Sequence, residues 1–178
     1  MADFKPEVEA WLRQTVPRAV AYARSLLDRP SRAEDIVQDV VCRLLDHEEY
    51  DLRRNGDALL FRSVTNACIN AATRRKSVRS LDREDDEGRS LYSDLSAGGA
   101  EDAPDRLEAR DLLDAVGREL RDLPPRQRAA VELKAMGRTL RQIAETLEVS
   151  PGNAGVLVHR GRRKLKERLG QQLPRQLR

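Results

Sequence analysis

Apolar residues recur at helical spacing along most of the chain. From Pro6 to Leu27, Val8, Trp11, Leu12, Val16 and Val20 share one helix face. Pro17 lies inside this run and predicts a kink or a split. "DRPSRAED" then marks a turn, with Ser31 as the expected N-cap and Glu34 three residues later. In "AEDIVQDVVCRLLDH", Ile36, Val37, Val40, Val41, Leu44 and Leu45 form one stripe, and Asp35, Gln38, Asp39 and Asp46 form the opposite, acidic face. "EEYDLRRNGD" reads as a polar loop turning at Asn55-Gly56. A third helix is expected over about 57–76, with Leu60, Val64, Ala67, Cys68 and Ala71 on one side and Arg74, Arg75 and Lys76 at its end.

The pattern breaks over residues 77–104, which are acidic, Gly/Ser-containing and aperiodic, and read as a flexible linker. It resumes at Asp105, where Leu112, Leu113, Val116, Leu120 and Leu123 make a stripe closed by Pro124-Pro125. Three short helices should follow at about 126–136, 140–148 and 151–169. Thr139 can cap the second, and Ser150-Pro151 is a strong start for the third. Two helices joined by about three residues, the second ending in bases, predict a helix-turn-helix. The fold class is therefore all-α: two small helical domains joined by a flexible acidic linker, the C-terminal one a helix-turn-helix. The expected divisions are 1–77, 78–104, 105–170 and a tail at 171–178.

Composition supports this reading. Of 178 residues 35% are charged and 3% aromatic, which suits small aliphatic cores between helices. The net charge of +3 is unevenly spread. Residues 81–105 hold 2 Lys/Arg against 9 Asp/Glu, whereas residues 106–178 hold 17 against 9. A basic C-terminal unit suggests a polyanionic partner. Cys42 and Cys68 belong to no metal-binding motif and are expected to be buried core thiols. With no basic-then-apolar leader and no membrane-length apolar run, the expected location is the cytoplasm, without membrane insertion.

The last helix, "PGNAGVLVHRGRRKLKERL", has Asn153 as the sole direct base reader near its start. Gly152, Ala154 and Gly155 carry no hydrogen-bonding side chain. Arg160, Arg162, Arg163, Lys164, Lys166 and Arg168 lie later and suit phosphates. This predicts a helix that grips DNA more than it reads it, with steep salt dependence. Gly155 and Gly161 should each weaken the helix by roughly 1 kcal/mol relative to Ala. The plainer reading is a helical bundle with a solvated basic face; cap, turn length and end-loaded charge together favour DNA. An enzyme is disfavoured, since His47 and His159 lie in different units and no nucleophile–base pair or phosphate loop is visible.

"AEDIVQDVVCRLLD", "FRSVTNACIN..TRRK" and "LRDLPPRQRAAVELKAMGRTLRQIAETLEVSPGNAGVLVHRGRRKLKERL" resemble the bacterial extracytoplasmic-function (ECF) sigma factors. The resemblance spans most of the chain outside the extreme N-terminus and the linker. It implies no catalytic site and no cofactor. It implies a subunit that docks on core RNA polymerase, recognises the −35 and −10 elements of promoter DNA and helps melt the second. Relatives are commonly held by an anti-sigma factor, although no residue here identifies one. The alternative is a helix-turn-helix regulator that does not act as a sigma subunit.

Carried over by position, Asp35, Gln38 and Asp39 should dock on polymerase. Tyr50, Arg53, Arg54, Phe61, Arg62, Asn66, Arg74, Arg75 and Lys76 should hold the −10 DNA. Arg141, Ser150, Asn153, His159, Arg160, Arg162, Arg163 and Lys164 should hold the −35 DNA. The chain departs from the family pattern at Leu59-Leu60 and Thr65, where a Trp-Leu pair and a basic residue are frequent. It departs again at Gly155 and Leu157, where many relatives carry Lys and Arg; this points to a subtype.

Overall fold

A computed structural model describes residues 6–47, 51–78 and 104–172. The helices are α1 (Pro6–Leu26), α2 (Ala33–Asp46), α3 (Leu52–Val78), α4 (Pro104–Arg121), α5 (Pro125–Ala135), α6 (Leu140–Leu147) and α7 (Pro151–Gln172), with a 3-10 turn at Pro30–Arg32. No strand occurs among the described residues. Nearly all of the linker, residues 79–103, lies outside them, as do residues 173–178 of the tail.

Three local expectations are corrected. Helix α1 runs unsplit through Pro17, whose side chain stays exposed rather than in the packed interior. Ser31 does not cap α2. It sits within the 3-10 turn, which hands directly into α2 at Arg32 with no side-chain cap. Asn55-Gly56 is not a turn, because α3 already begins at Leu52. Asp51 supplies its start, accepting from Arg54 N–H through Oδ1 at 3.2 Å. Gly56 is required within the helix because a Cβ there would stand 2.8 Å from Trp11 Cε2 on α1. Tertiary packing overrides the turn propensity of the pair.

In the first unit α1, α2 and α3 pack around Ala19, Tyr22, Ala23, Val37, Val40, Leu44, Leu60, Val64 and Cys68. Tyr22 shares a buried 2.9 Å hydrogen bond with Thr65. Burial pushes the Cys68 thiol up to about 12, against the smaller opposing pull of Arg128. In the second unit α5, α6 and α7 close over Ala129, Ala130, Leu133, Ile143, Leu147, Ala154 and Val158. Gly161 allows the α5–α7 crossing, since a Cβ there would meet Val131 Cγ2 at 2.6 Å. Its helix-weakening cost is therefore attached to a close approach.

The two units also pack on each other. Helix α3 meets α6 and α5, and α1 meets α5 and α4. Their buried apolar residues form one continuous cluster. The buried Arg128 of α5 lies 3.7 Å from Asp28 after α1.

Candidate nucleic-acid and polymerase interfaces

The helix-turn-helix is built by two caps and one left-handed residue. Thr139 Oγ1 accepts from Gln142 N–H at 3.2 Å, and Thr139 N–H donates to Gln142 Oε1 at 2.9 Å. This capping box starts α6. Glu148 ends it at φ 53° and ψ 50°. Ser150 Oγ then accepts from Asn153 N–H at 3.2 Å, starting α7 at Pro151. Asn153, His159, Arg160, Arg162 and Arg163 stand exposed along α7, as do Arg141 on α6 and Ser150; Lys164 is half-buried. Arg163 lies 3.6 Å from Glu167 and Arg141 3.4 Å from Glu145. Exposed pairs of this kind are weak and can give way to phosphate. Arg168 donates to Glu119 at 3.1 Å and Asp122 at 2.9 Å, tying α7 to the end of α4.

Helix α2 buries Val37, Val40 and Leu44 and exposes Asp35, Gln38, Asp39 and Asp46. The acidic face is thus a continuous outer surface. Cys42 lies on it, exposed, and not in the core as expected. The sequence signal was available, since Cys42 follows Gln38 and Asp39 at four and three positions, on their side of the helix.

Helix α3 is more mixed. Arg54 and Arg62 are exposed and Asn66 is half-buried. Arg53, Arg74, Arg75 and Lys76 belong to the helix, but their side chains lie outside the described residues, as does Tyr50. Phe61 is 1% exposed, so in this arrangement it offers no open face to a base. Its ring packs 5.5 Å from that of Tyr22, with the Arg138 guanidinium 5.0 Å and the Arg18 guanidinium 6.0 Å from its centroid. Arg138, just before α6, belongs to the second unit, so the cover over Phe61 comes partly from the helix-turn-helix. Arg62 is likewise engaged across the units, by Glu148.

Asp57 organises this junction and was missed as a candidate. Its Oδ1 accepts from Trp11 Nε1 at 3.0 Å and Thr15 Oγ1 at 3.1 Å, and its Oδ2 accepts from Arg138 Nη2 at 3.4 Å. Partial burial acts to raise its pKa, but the donors Trp11, Thr15 and Arg138, with the charge of Arg138, outweigh it and hold the carboxyl below the usual range. No local pattern marks such a residue, because its partners are 42 to 81 positions away. Beside it a cleft of about 510 Å³ opens between the units, lined by Asp51, Asn55, Arg62, Arg138, Gln142 and Glu145 among others. No group of His, Cys, Asp and Glu suited to a metal occurs among the described residues. No described helix is long and apolar enough to cross a membrane.

Known proteins show the same two-part arrangement. Residues 11–78 match the family model for sigma-70 region 2, and residues 113–165 match that for sigma-70 region 4. The chain is 31% identical over 150 residues to the ECF RNA polymerase sigma factor SigW of Bacillus subtilis (strain 168), covering 81% of this chain and 79% of that protein. Its fold is similar to that of the sigma factor RpoE from Bartonella quintana, solved in complex with the anti-sigma factor NepR, at a TM-score of 0.67 and 22% identity over 93% of this chain and 98% of that one. The acidic outer face of α2, the capped helix-turn-helix and these matches converge: the chain belongs to the ECF sigma factors, the subunits that direct RNA polymerase to promoters.

Proposed function

We propose a division of labour within this sigma factor. The α2 face of Asp35, Gln38 and Asp39 docks on core polymerase. Helix α3, with Arg54, Arg62 and Asn66, holds the −10 strand. Helix α7, with Arg160, Arg162, Arg163 and Lys164, holds the −35 duplex, assisted by Arg141, Ser150, Asn153 and His159. The chain works by binding and carries no catalytic group of its own. Its place of action is the cytoplasm, where polymerase is found.

One observation carries the reading: the acidic face of α2 and the basic face of α7 are both exposed and lie on different units. A rigid acidic surface suits a basic protein partner. A capped helix of major-groove size with cations along its outer face suits duplex DNA. The −10 surface is different, since Phe61 and Arg62 are engaged by Arg138 and Glu148 of the other unit. In this reading the closed arrangement is the resting form, and strand capture requires the units to separate. An anti-sigma factor, like the one bound to the Bartonella relative, would act by holding them together.

The test uses core polymerase and Cys42. A thiol reagent should label the free chain at exposed Cys42 while buried Cys68 stays unlabelled. Polymerase should protect Cys42. Asp35→Lys with Asp39→Lys should abolish both protection and promoter opening while the fold persists. Unchanged opening by that variant would refute the assignment of α2.

A further inference from the structure

Among the described residues, the large apolar side chains that stand out into solvent are Leu140, 42% exposed, and Val156, 43% exposed. Both lie on the helix-turn-helix. A Cβ on Gly155 would be 3.8 Å from Leu140 Cδ1, so Leu140 leans against α7 at the residue that precedes Val156. An isolated exposed aliphatic residue needs no explanation. Two on one helix-turn-helix, one of them on the outward face of a helix of groove-entering size, do.

Register places Val156 at the centre of the outward face of α7. At about 100° per residue, Gly152, Asn153, His159, Arg160 and Arg163 all fall within roughly 60° of it. All of them are exposed. Ala154, Val158 and Gly161, which are buried, lie on the opposite side. Val156 is thus surrounded by a polar amide and cations, and it points wherever that face points. The stretch has few polar readers, so the side chain that meets the floor of a groove first is apolar. The major groove presents one apolar group on its floor, the thymine 5-methyl. An apolar protein helix is the other occupant such a patch could take, but the surrounding arginines favour the polyanion.

We infer that Val156, supported by Leu140, is a specificity-determining residue that reads a thymine methyl in the upstream promoter element. The inference rests on α7 being the duplex-holding helix. The valine supplies selectivity where Asn153 alone would supply little, and the arginines supply affinity. Shielding one methyl from water corresponds to about a three- to fivefold preference for thymine over uracil.

The experiment starts with polymerase carrying this chain, which selects duplexes from a pool randomised over the upstream element. The selected duplexes are then resynthesised with deoxyuridine replacing each thymidine in turn. One or two positions should lose about three- to fivefold in binding on loss of the methyl. Val156→Ser should abolish that difference at those positions, and Val156→Ala should reduce it. Insensitivity to the methyl at every position, or sensitivity that survives Val156→Ser, would overturn the inference; an apolar protein ligand for the patch predicts the first pattern. Arg162→Ala with Arg163→Ala separates the two levels. If that variant binds normally, α7 does not hold the duplex at all; if it binds weakly while uracil is tolerated everywhere, only the valine assignment fails.

Discussion

The outer face of α7 and the inner face of α3 are both assigned to DNA, yet the folded chain treats them in opposite ways. On α7 the basic side chains Arg160, Arg162 and Arg163 stand exposed, and the pair of Arg163 with Glu167 is an exposed, weak one. On α3, Phe61 lies under Arg138, and Arg62 is paired with Glu148. The difference follows from side-chain chemistry. Cations are well solvated and need no cover, whereas a phenylalanine on a surface loses the stabilisation that burial provides. Without DNA, the apolar part of α3 finds shelter in the nearest available surface, the helix-turn-helix of the same chain. Of the two proposed DNA surfaces, one stands open in the free chain and the other is covered.

The largest expected effect removes the readiness of α7. Arg162→Ala with Arg163→Ala should weaken duplex binding by about tenfold to a hundredfold and lower the salt slope by about two. An unaltered slope in a titration from low to moderate salt would remove these arginines from the phosphate contact. Next, Gly161→Ala should destabilise the second unit by about 1–3 kcal/mol, because the new methyl overlaps Val131. Thermal melts should show the loss, and adding Val131→Ala should recover part of it. If the single variant melts normally, the α5–α7 approach is looser than described.

Breaking the cover over α3 should have a smaller effect. Arg138→Glu with Glu148→Lys puts like charges opposite Asp57 and Arg62, and takes a cation from the Phe61 ring. The net change should be about 1 kcal/mol toward the open form, given partly exposed pairs. Solution scattering should report a larger radius, and a single-stranded −10 oligonucleotide should bind about fivefold better. A compact particle with unimproved strand binding would mean that the cover does not compete with DNA. The smallest effect is on pH. The Asp57 carboxyl is held below its usual range in the folded chain. Its contribution is therefore complete above the unfolded value of about 3.9 and fades as pH falls through the lower folded value. Partial exposure limits this to roughly a few tenths of a kcal/mol. Asp57→Asn should flatten that part of an acid titration of compactness.

The helices were legible in the sequence because a 3.6-residue apolar period is a local property. So were the caps at Thr139 and Ser150, where donor and acceptor lie three residues apart. The acidic face of α2 could be read the same way, because opposite sides of one helix are fixed by register alone. Asn55-Gly56 misled because a turn propensity of this size yields to an indole ring packed from another helix. The burial of Phe61 was not legible because part of its cover comes from a residue 77 positions later, beyond any local pattern.

By itself the sequence determined the helical class, the family and the placing of cations along α7, since each of these depends on residues close together in the chain. Tertiary structure alone decided that the units share one core, that Asp57 joins them and that Arg168 pairs with acids at the end of α4. It also decided which of the two proposed DNA surfaces stands open. Those outcomes depend on which distant side chains meet, and a periodic pattern specifies that a face will be buried without naming the surface that buries it.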